Sequence, residues 1–195
     1  FVLTFTDTSI STNIYSDDGA HASVTAPSFD SGDQTFVLKA TGFDFSMIPD
    51  GSVINGITAR INAYYQAGQG SGSIDLCQLL NVSRAKVGTN KCLTPVALTT
   101  TASTIITQGS AIDLWGFVMT SAWVKDPDFG IAMGIRATAA NADVYTDYVT
   151  LEIDYTPPIT TISNFVTAEP GDSTIAPETS GLVNSFGLVT SGGTD

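Results

Sequence analysis

The sequence predicts an all-β protein whose fold is an antiparallel β-sandwich, jelly-roll-like, with an extended C-terminal arm. Apolar and polar residues alternate with a period of two in many short runs, which is typical of half-buried strands. Clusters of Gly, Pro, Asp and Asn separate the runs, and no strand–helix–strand alternation occurs. About nine such strands predict two packed sheets, with a closed barrel as the alternative.

The predicted strands follow one another over the first 156 residues. The first covers residues 1–5 and the longest covers residues 52–66, where Gly56 indicates a bulge or a close approach of two backbones. Residues 112–118 form a further alternating run, which places Trp115 on a strand. A hydroxyl residue before and a proline after residues 120–125 predict one short helical turn there. The other predicted strands cover residues 36–40, 74–82, 129–135 and 148–155.

The composition changes after residue 156, so we expect a sandwich domain over residues 1–156 and an arm or tail over residues 157–195. The second segment is rich in Ser, Thr, Gly and Pro and is too polar to build a core of its own. It is either a flexible extension or an arm that becomes ordered on a neighbouring subunit. Its isolated apolar side chains favour the arm, with Phe165, Leu182 and Phe186 as candidate docking contacts.

The charge balance narrows the choice of partners. Only 13% of the residues are charged, and 19 acidic against 7 basic residues give a formal net charge of −12. Such a surface is repelled by phosphate backbones and by anionic lipids, so we expect neither nucleic acid nor membrane as a partner. The sequence also has no apolar run of membrane-spanning length and no pattern of a signal peptide at its start.

Three of the seven basic residues, Arg84, Lys86 and Lys91, lie between the two cysteines. A solvated hairpin tip is the simpler interpretation, and a docking contact for an acidic partner is the alternative. Cys77 and Cys92 themselves form either a disulfide, with a stabilisation of about 3 kcal/mol from loop closure, or two buried free thiols. A disulfide would indicate an oxidising compartment.

No motif of an active site is found. His21 lies between small residues on a predicted strand, and without a nucleophile elbow we interpret it as a structural or surface histidine. We therefore expect no catalytic residue, no cofactor and no enzymatic activity. Weak candidates for a calcium site are Asp17, Asp18, Asp126 and Asp128, although Asp residues are also frequent in turns, which explains them better.

The aromatic residues offer one functional hypothesis from the residues alone. Some of them could form a platform that stacks on sugar rings, whereas most are expected in the core or at an interface. The candidates are Tyr64, Tyr65, Trp115, Trp123, Tyr145 and Tyr148.

Four stretches carry a resemblance to a known family. Residues 48–57 read Ile-Pro-Asp-Gly-Ser-Val-Ile-Asn-Gly-Ile, and residues 113–116 read Asp-Leu-Trp-Gly before the Asp-Pro-Asp-Phe-Gly-Ile of residues 126–131. Asp-Asp-Gly-Ala stands at residues 17–20, and residues 147–155 form an alternating run that ends in Glu-Ile-Asp-Tyr. Over residues 13–156 the chain resembles the β-sandwich modules of tailed-bacteriophage structural proteins, which occur in head decorations, head fibres and tail appendages.

This resemblance implies a non-enzymatic virion component, a capsid decoration or fibre protein at the virion surface. It implies a homo-oligomer, with a trimer favoured, that docks on other shell proteins. One alternative is a carbohydrate-binding module or adhesin of a phage or bacterial surface, which predicts an exposed aromatic pair or a calcium site and surface glycans as partners. Another is an extracellular filament subunit that donates a terminal strand, residues 1–6, to its neighbour.

Overall fold

The computed structural model describes residues 2–3, 14, 21–24, 30–35, 37–101, 104–161 and 182–183. Two sheets pack against each other around a common core, and their strands pair antiparallel except for the parallel pair of residues 2–3 with residues 34–35. This confirms the predicted all-β sandwich. The strands are β1 (Val2–Leu3), β2 (Ala22–Val24), β3 (Gln34–Thr35), β4 (Leu38–Thr41), β5 (Val53–Tyr65), β6 (Gly72–Leu80), β7 (Lys86–Val87), β8 (Val96–Ala97), β9 (Ile105–Ser110), β10 (Gly130–Ala137), β11 (Val144–Thr156), β12 (Thr160–Thr161) and β13 (Leu182–Val183). Six of these thirteen strands in the described residues have only two residues each, which explains the lower number expected from the sequence.

The first sheet has the order β2-β11-β5-β9 and is built on its two longest strands. β5 and β11 have 13 residues each and pair antiparallel from Val53 opposite Thr156 to Tyr65 opposite Val144. The long strand predicted over residues 52–66 is therefore confirmed. One face of β5 supplies the centre of the core, where Ile57, Ala59, Ile61 and Ala63 are fully buried.

Gly56 has both of the roles that its place in β5 predicted. The pairing with β11 shifts there, since Asp154 lies opposite Gly56 but the next residue, Tyr155, lies opposite Ile54. A Cβ atom at Gly56 would stand 2.3 Å from the backbone carbon of Ala111, which no side chain can occupy. The glycine thus lets the chain after β9 cross β5 in backbone contact.

The second sheet has the order β1-β3-β10-β6-β7, with β4 also paired to β10 and β8 to β6. The sequence predicts β10 as a half-buried strand, and this is wrong, because Ala132 on its outer side is as fully buried as Ile131 and Met133. The outer side carries small residues that larger neighbours cover. A Cβ at Gly134, for example, would stand 3.3 Å from Cβ of Leu76 on β6.

The strand predicted over residues 112–118 is also wrong. The strand of this region is the preceding β9, and residues 111–118 form successive turns. Ile112 and Val118, which the alternation placed on a buried face, are 87% and 82% exposed. The side-chain carboxylate of Asp113 accepts the Trp115 N–H at 2.8 Å, and Trp115 adopts a φ of 57°. This local Asx-type hydrogen bond prevents an extended backbone despite the period-two pattern.

The backbone conformation of this turn directs the Trp115 ring into the core. The ring is fully buried, and its Nε1 donates to the main-chain oxygen of Ile57 at 2.8 Å. This hydrogen bond therefore joins the turn to the first half of β5. The predicted strand position of Trp115 is corrected to a left-handed turn position that covers the core.

The predicted helical turn is confirmed as α1 (Ser121–Val124). The Thr120 side chain accepts the Trp123 N–H as an N-cap, and Asp126-Pro127 follow directly after the C-cap. The Trp123 ring stacks on Phe117 with 5.4 Å between ring centroids.

Cys77 and Cys92 form a disulfide that joins β6 to the connection between β7 and β8. Both sulfur-bearing residues are fully buried. The Asn90 side chain organises this connection, because its Oδ1 accepts the N–H groups of both cysteines, at 2.8 Å and 3.0 Å.

The contacts divide the chain into two compact units, Phe1–Thr156 and Pro157–Asp195. In the second unit the structure describes β12 and β13, which pair antiparallel with Thr160 opposite Val183. No helix in the described residues is long and apolar enough to cross a membrane.

Candidate functional site

Three aromatic rings meet on the outer face of the first sheet, at the end where β5 finishes and β11 begins. Tyr64 lies directly opposite Tyr145 in the pairing of β5 with β11. Successive side chains of a strand point to opposite faces, so both rings face away from the core residues Ala63 and Val144. The two rings stack with 5.1 Å between centroids and 22° between planes.

His21 completes this aromatic site from the neighbouring strand. It directly precedes β2, whose residues 22–24 pair with β11 residues 144–146. Its ring meets Tyr145 edge to face at 4.5 Å and Tyr64 at 6.1 Å. His21 was interpreted as a structural or surface histidine, and the structure places it at the edge of the tyrosine pair.

A depression of about 330 Å³ lies at these rings. It is lined by His21, Tyr64, Tyr65, Gln66, Ala67, Thr100 and Tyr145. The lining brings together the end of β5, the start of β11 and the loop before β9, because the Tyr65 N–H donates to the Thr99 main-chain oxygen at 2.9 Å.

Polar groups at the rim hold the rings in place and remain able to bind a ligand. The Tyr145 hydroxyl donates to Oε1 of Gln66 at 2.8 Å, and the Gln66 main-chain N–H donates to the Asp143 oxygen at 2.9 Å. This arrangement leaves both N–H donors of the Gln66 amide without a partner among the described residues. The Tyr64 hydroxyl and the exposed Thr100 hydroxyl are free in the same described part of the chain.

The two tyrosine hydroxyls are neutral hydrogen-bonding groups at ordinary pH. Burial raises the pKa of Tyr64 above its usual value, and Tyr145 and Asp147 raise it further. Burial also raises the pKa of Tyr145, with a smaller contribution from the carboxylate of Asp143. Both phenols therefore keep their protons and can donate as well as accept.

The other aromatic candidates lie away from the depression or, in the case of Tyr65, only line its side. Tyr65 is half-buried, lines the depression and packs against the core. Trp115 belongs to the core, and Trp123 stacks on Phe117 beside α1. Tyr148 is half-buried within the irregular stretch of β11 between Thr146 and Val149 and does not line the depression.

Two of the three clustered basic residues form ion pairs within the sandwich. Arg84 Nη2 lies 2.7 Å from Oδ1 of Asp128. Lys91 Nζ lies 2.7 Å from Oδ2 of Asp113 and 5.9 Å from the centre of the Trp115 ring. Lys86 is exposed and has no ion pair within the described ranges. Docking of an acidic partner on this segment therefore stays a prediction, with Lys86 as its uncommitted cation.

The weak calcium candidates that the structure describes have other partners. Oδ1 of Asp126 accepts the Asp128 N–H at 2.9 Å, the hydrogen bond of an Asx turn, and the Asp128 carboxylate pairs with Arg84. No group of three or more His, Cys, Asp or Glu side chains in the described residues is placed to share a metal ion. Asp17 and Asp18 lie outside the described residues, as do Phe165 and Phe186, and of Leu182 only the strand β13 is described.

Comparisons with known proteins add little to this geometry. No protein-family model matches the chain, and no curated protein matches it. A solved structure described as "EclA C-terminal domain; sugar-binding protein" matches with 12% sequence identity and a TM-score of 0.32, covering 72% of this chain and 84% of that one. A TM-score this low carries no argument about function, so the site has to be interpreted from its own residues.

Proposed function

We propose that this β-sandwich is a carbohydrate-binding domain and that the aromatic site of His21, Tyr64 and Tyr145 is where the sugar binds. The observation that carries the proposal is the stacked tyrosine pair beside an open depression with free hydrogen-bond donors. The sugar-binding alternative predicts an exposed aromatic pair from the sequence, and the pair found here is half-buried with a depression open beside it.

The chemistry of a sugar suits this site. A pyranose presents apolar C–H groups on its faces and hydroxyl groups around its edge, so it needs an aromatic surface and several polar partners at one place. The rings supply the surface. The Gln66 amide and the Tyr64 and Thr100 hydroxyls supply donors and acceptors at the rim, and the site is shallow enough to admit one unit of a longer chain.

Binding can be tested with a panel of oligosaccharides, first on an array and then by isothermal titration calorimetry. Tyr64→Ala removes one ring of the stacked pair, and we expect affinity to fall roughly tenfold, as for the loss of about 1.4 kcal/mol of aromatic contact. Tyr145→Phe keeps the ring but frees Gln66, so it should change affinity less than Tyr64→Ala.

Tyr155→Ala is the matched control for these variants. Tyr155 is a 38% exposed tyrosine on the same strand β11, ten residues and about 30 Å from Tyr145. Its removal should leave sugar affinity unchanged. If no oligosaccharide binds, or if Tyr155→Ala weakens binding as much as Tyr64→Ala, the proposal is wrong.

A second proposal concerns self-assembly of the kind that the phage resemblance implies. Met47 and Ile112 are each 87% exposed and Val118 is 82% exposed, and a bridge between Val53 and Thr120 joins two of these loop regions. Exposed apolar side chains of this size favour burial against another copy. Light scattering of the full chain and of its Ile112→Asp variant tests it: a trimer that is lost in the variant supports assembly through these side chains, and a monomer in both refutes it.

A further inference from the structure

Strand β9 lies at an edge of the first sheet and is open on one side. It has six residues, Ile105–Ser110, and pairs only with β5 in the described part of the chain. Ile105 is 46% exposed, and Thr107 is exposed as well. An edge strand of this length can serve as a template that pairs with a strand of another chain.

The hydrogen bonds of β5 show which residues of β9 are committed to the sheet. The N–H groups of Ile57 and Tyr65 donate to the main-chain oxygens of Asp113, just after β9, and of Thr99, before it. Main-chain groups alternate in direction along a strand, so every second residue of β5 from Ile57 onward bonds toward β9. The residues of β9 that lie opposite them are Ile106, Gln108 and Ser110.

The alternate residues Ile105 and Thr107 direct their N–H and C=O groups away from the sheet. None of these four groups has a hydrogen-bond partner among the described residues. The regular edge ends at Gly109, whose φ of 79° turns the backbone out of the extended conformation. The open edge is thus a short, regular stretch with two donors and two acceptors.

This open edge lacks the features that usually block pairing between sheets. Edge strands are commonly protected by lysine, by proline or by a very short length. In the second sheet, β4 carries Lys39, and β7 has only two residues, one of which is Lys86. β9 contains neither a charged residue nor a proline. In a chain with a net charge of −12, this uncharged edge is a place where two copies can approach with little repulsion.

We propose that β9 pairs antiparallel with β9 of a second copy, so that the two four-stranded sheets become one continuous sheet. A two-fold axis at Ile106 places Ile105 of each chain opposite Thr107 of the other, and the outward donors and acceptors then satisfy one another. The strand is therefore complementary to itself. The exposed Ile105 side chain packs against Thr107 of the second copy. Because the contact is short, the dimer dissociates on dilution.

The dimer has a consequence for sugar binding, and this step alone rests on the proposed function. A two-fold axis perpendicular to the sheet turns the outer faces of both copies to the same side. Tyr64 lies three residues beyond Ile61, which is opposite Ile106, so the two aromatic sites stand roughly 25 Å apart on one surface. Such a dimer binds a sugar-coated surface more tightly than one chain does, while each site keeps its affinity for soluble sugar.

Sedimentation equilibrium of the full chain, without any sugar, tests the dimer at concentrations from about 5 µM to about 1 mM. We expect the mass to rise with concentration from that of one chain to that of two. The association should be stronger in 0.5 M salt, where the screening length is about 4 Å, than in 20 mM salt, because salt weakens the repulsion between two acidic chains.

Charge variants at Thr107 identify the contact. Across the two-fold axis the two Thr107 side chains are diagonal neighbours on one face, within reach of long side chains. Thr107→Lys and Thr107→Glu should each weaken the dimer roughly fivefold, as for about 1 kcal/mol of repulsion between like charges. An equimolar mixture of the two variants should dimerise at least as tightly as the unmodified protein, because opposite charges then meet.

The matched controls are Thr150→Lys and Thr150→Glu. Thr150 and Thr107 are both exposed and both lie opposite Arg60, but Thr150 belongs to β11 and not to the edge. These controls change the net charge equally and should leave the dimer unchanged. On a sugar-coated surface Thr107→Lys should bind more weakly than Thr150→Lys, whereas both should bind soluble sugar equally.

Thr107→Pro tests the backbone pairing directly. It removes an outward N–H group, while the residues that face β5 keep theirs. We expect no dimer up to about 1 mM from a variant that thermal melting shows to be folded.

The inference is wrong if the unmodified chain stays monomeric at both salt concentrations. It is also wrong if folded Thr107→Pro dimerises like the unmodified protein, if the mixture of Thr107 variants fails to dimerise, or if the Thr150 controls weaken the dimer as much as the Thr107 variants do. A failure to bind any sugar would overturn the proposed function and leave the dimer standing, because the dimer is measured without sugar.

Discussion

The hydrogen bond from the Trp115 ring to Ile57 of β5 is the contact whose removal has the most predictable effect on the free energy of unfolding. In Trp115→Phe an aromatic ring remains in the fully buried position, but the Nε1 donor is lost and the main-chain oxygen of Ile57 loses its partner at 2.8 Å. A buried carbonyl without its hydrogen bond costs about 1–3 kcal/mol. The smaller ring leaves unfilled space that adds about 1 kcal/mol. The free energy of unfolding should therefore fall by about 2–4 kcal/mol.

Urea denaturation followed by far-UV circular dichroism measures this change with the disulfide intact. In a domain of this size about 2–4 kcal/mol corresponds to a fall in Tm of roughly 4–16 °C. The matched control is Trp123→Phe. Trp123 is half-buried, and its ring nitrogen donates to no group in the described part of the chain. We expect its replacement to cost less than about 1 kcal/mol, as for a surface-proximal change.

The result that would refute this reasoning is equal destabilisation by the two variants. It would mean that ring volume and not the hydrogen bond to Ile57 holds the turn in place. A loss of more than about 5 kcal/mol in Trp115→Phe would also contradict it, because neither contribution reaches that size.

Three further predictions concern stability. Replacing both Cys77 and Cys92 by Ser should lower the free energy of unfolding by about 3 kcal/mol, as for the closure of a loop of fifteen residues, and urea denaturation with and without reductant on the unmodified protein measures the same quantity. In Lys91→Met the loss of stability should be present at pH 7 and fade as the pH falls below about 4. Burial raises the pKa of Asp113, but hydrogen bonds from Lys91 and from the Trp115 N–H outweigh it and lower the pKa, and a carboxyl with a lowered pKa stabilises the fold only while it is ionised. An unchanged difference between the two proteins at pH 3 would contradict this. Gly56→Ala should destabilise by more than about 2 kcal/mol, since its Cβ would stand 2.3 Å from a backbone atom, and a variant that melts like the unmodified protein would show that the two backbones can separate there.

The periodic parts of the fold can be predicted from the sequence because their pattern records burial directly. On β5 the apolar residues recur at every second position, from Ile57 to Ala63, and the structure buries all of them. β10 shows the limit of the rule. Its small residues alternate with large ones and read as a solvent-facing row, but they are buried: Gly134 lies against Leu76 of β6 and Gly130 against the backbone of Ala40 on β4. Contact with a neighbouring strand leaves no mark in the local sequence pattern.

The turn after β9 could not be predicted because two local signals compete there. Ile112, Leu114 and Val118 have the spacing of a strand, whereas Asp113 offers a side-chain acceptor to the backbone two residues on. The Asx-type hydrogen bond, together with the burial of the Trp115 ring, outweighs the strand propensity. The exposed Ile112 and Val118 are the consequence of that outcome.

The sequence also predicts some features of the candidate site and misses others. Tyr64 and Tyr145 are candidates from composition alone, but their contact depends on the register of β5 against β11, which a sequence does not fix across an irregularity in the pairing. His21 and Gln66 were missed as members of the site. The one available signal is positional, since Gln66 directly follows the longest predicted strand, where a polar side chain is brought to the end of a sheet.

The Trp115 hydrogen bond and the aromatic site both involve β5, but they lie far enough apart on it that stability and sugar affinity can be changed separately. Ile57 and Tyr64 are seven residues apart on β5, about 23 Å in an extended strand. Between them β5 is hydrogen-bonded to β9 on one side and β11 on the other, so a local loss at Ile57 leaves the pairing of Tyr64 with Tyr145 unchanged. Trp115→Phe should therefore lower stability and keep sugar affinity, whereas Tyr64→Ala should lower affinity with little effect on stability, because its ring is only half-buried on the outer face. We expect these two opposite outcomes if β5 and β11 form a rigid pair of strands and the aromatic site depends only on its local side chains. A Trp115→Phe protein that stays folded but no longer binds sugar would show that the tyrosine pair depends on the far end of the sheet, and the site would then have to be treated as part of the whole sheet and not as a local surface.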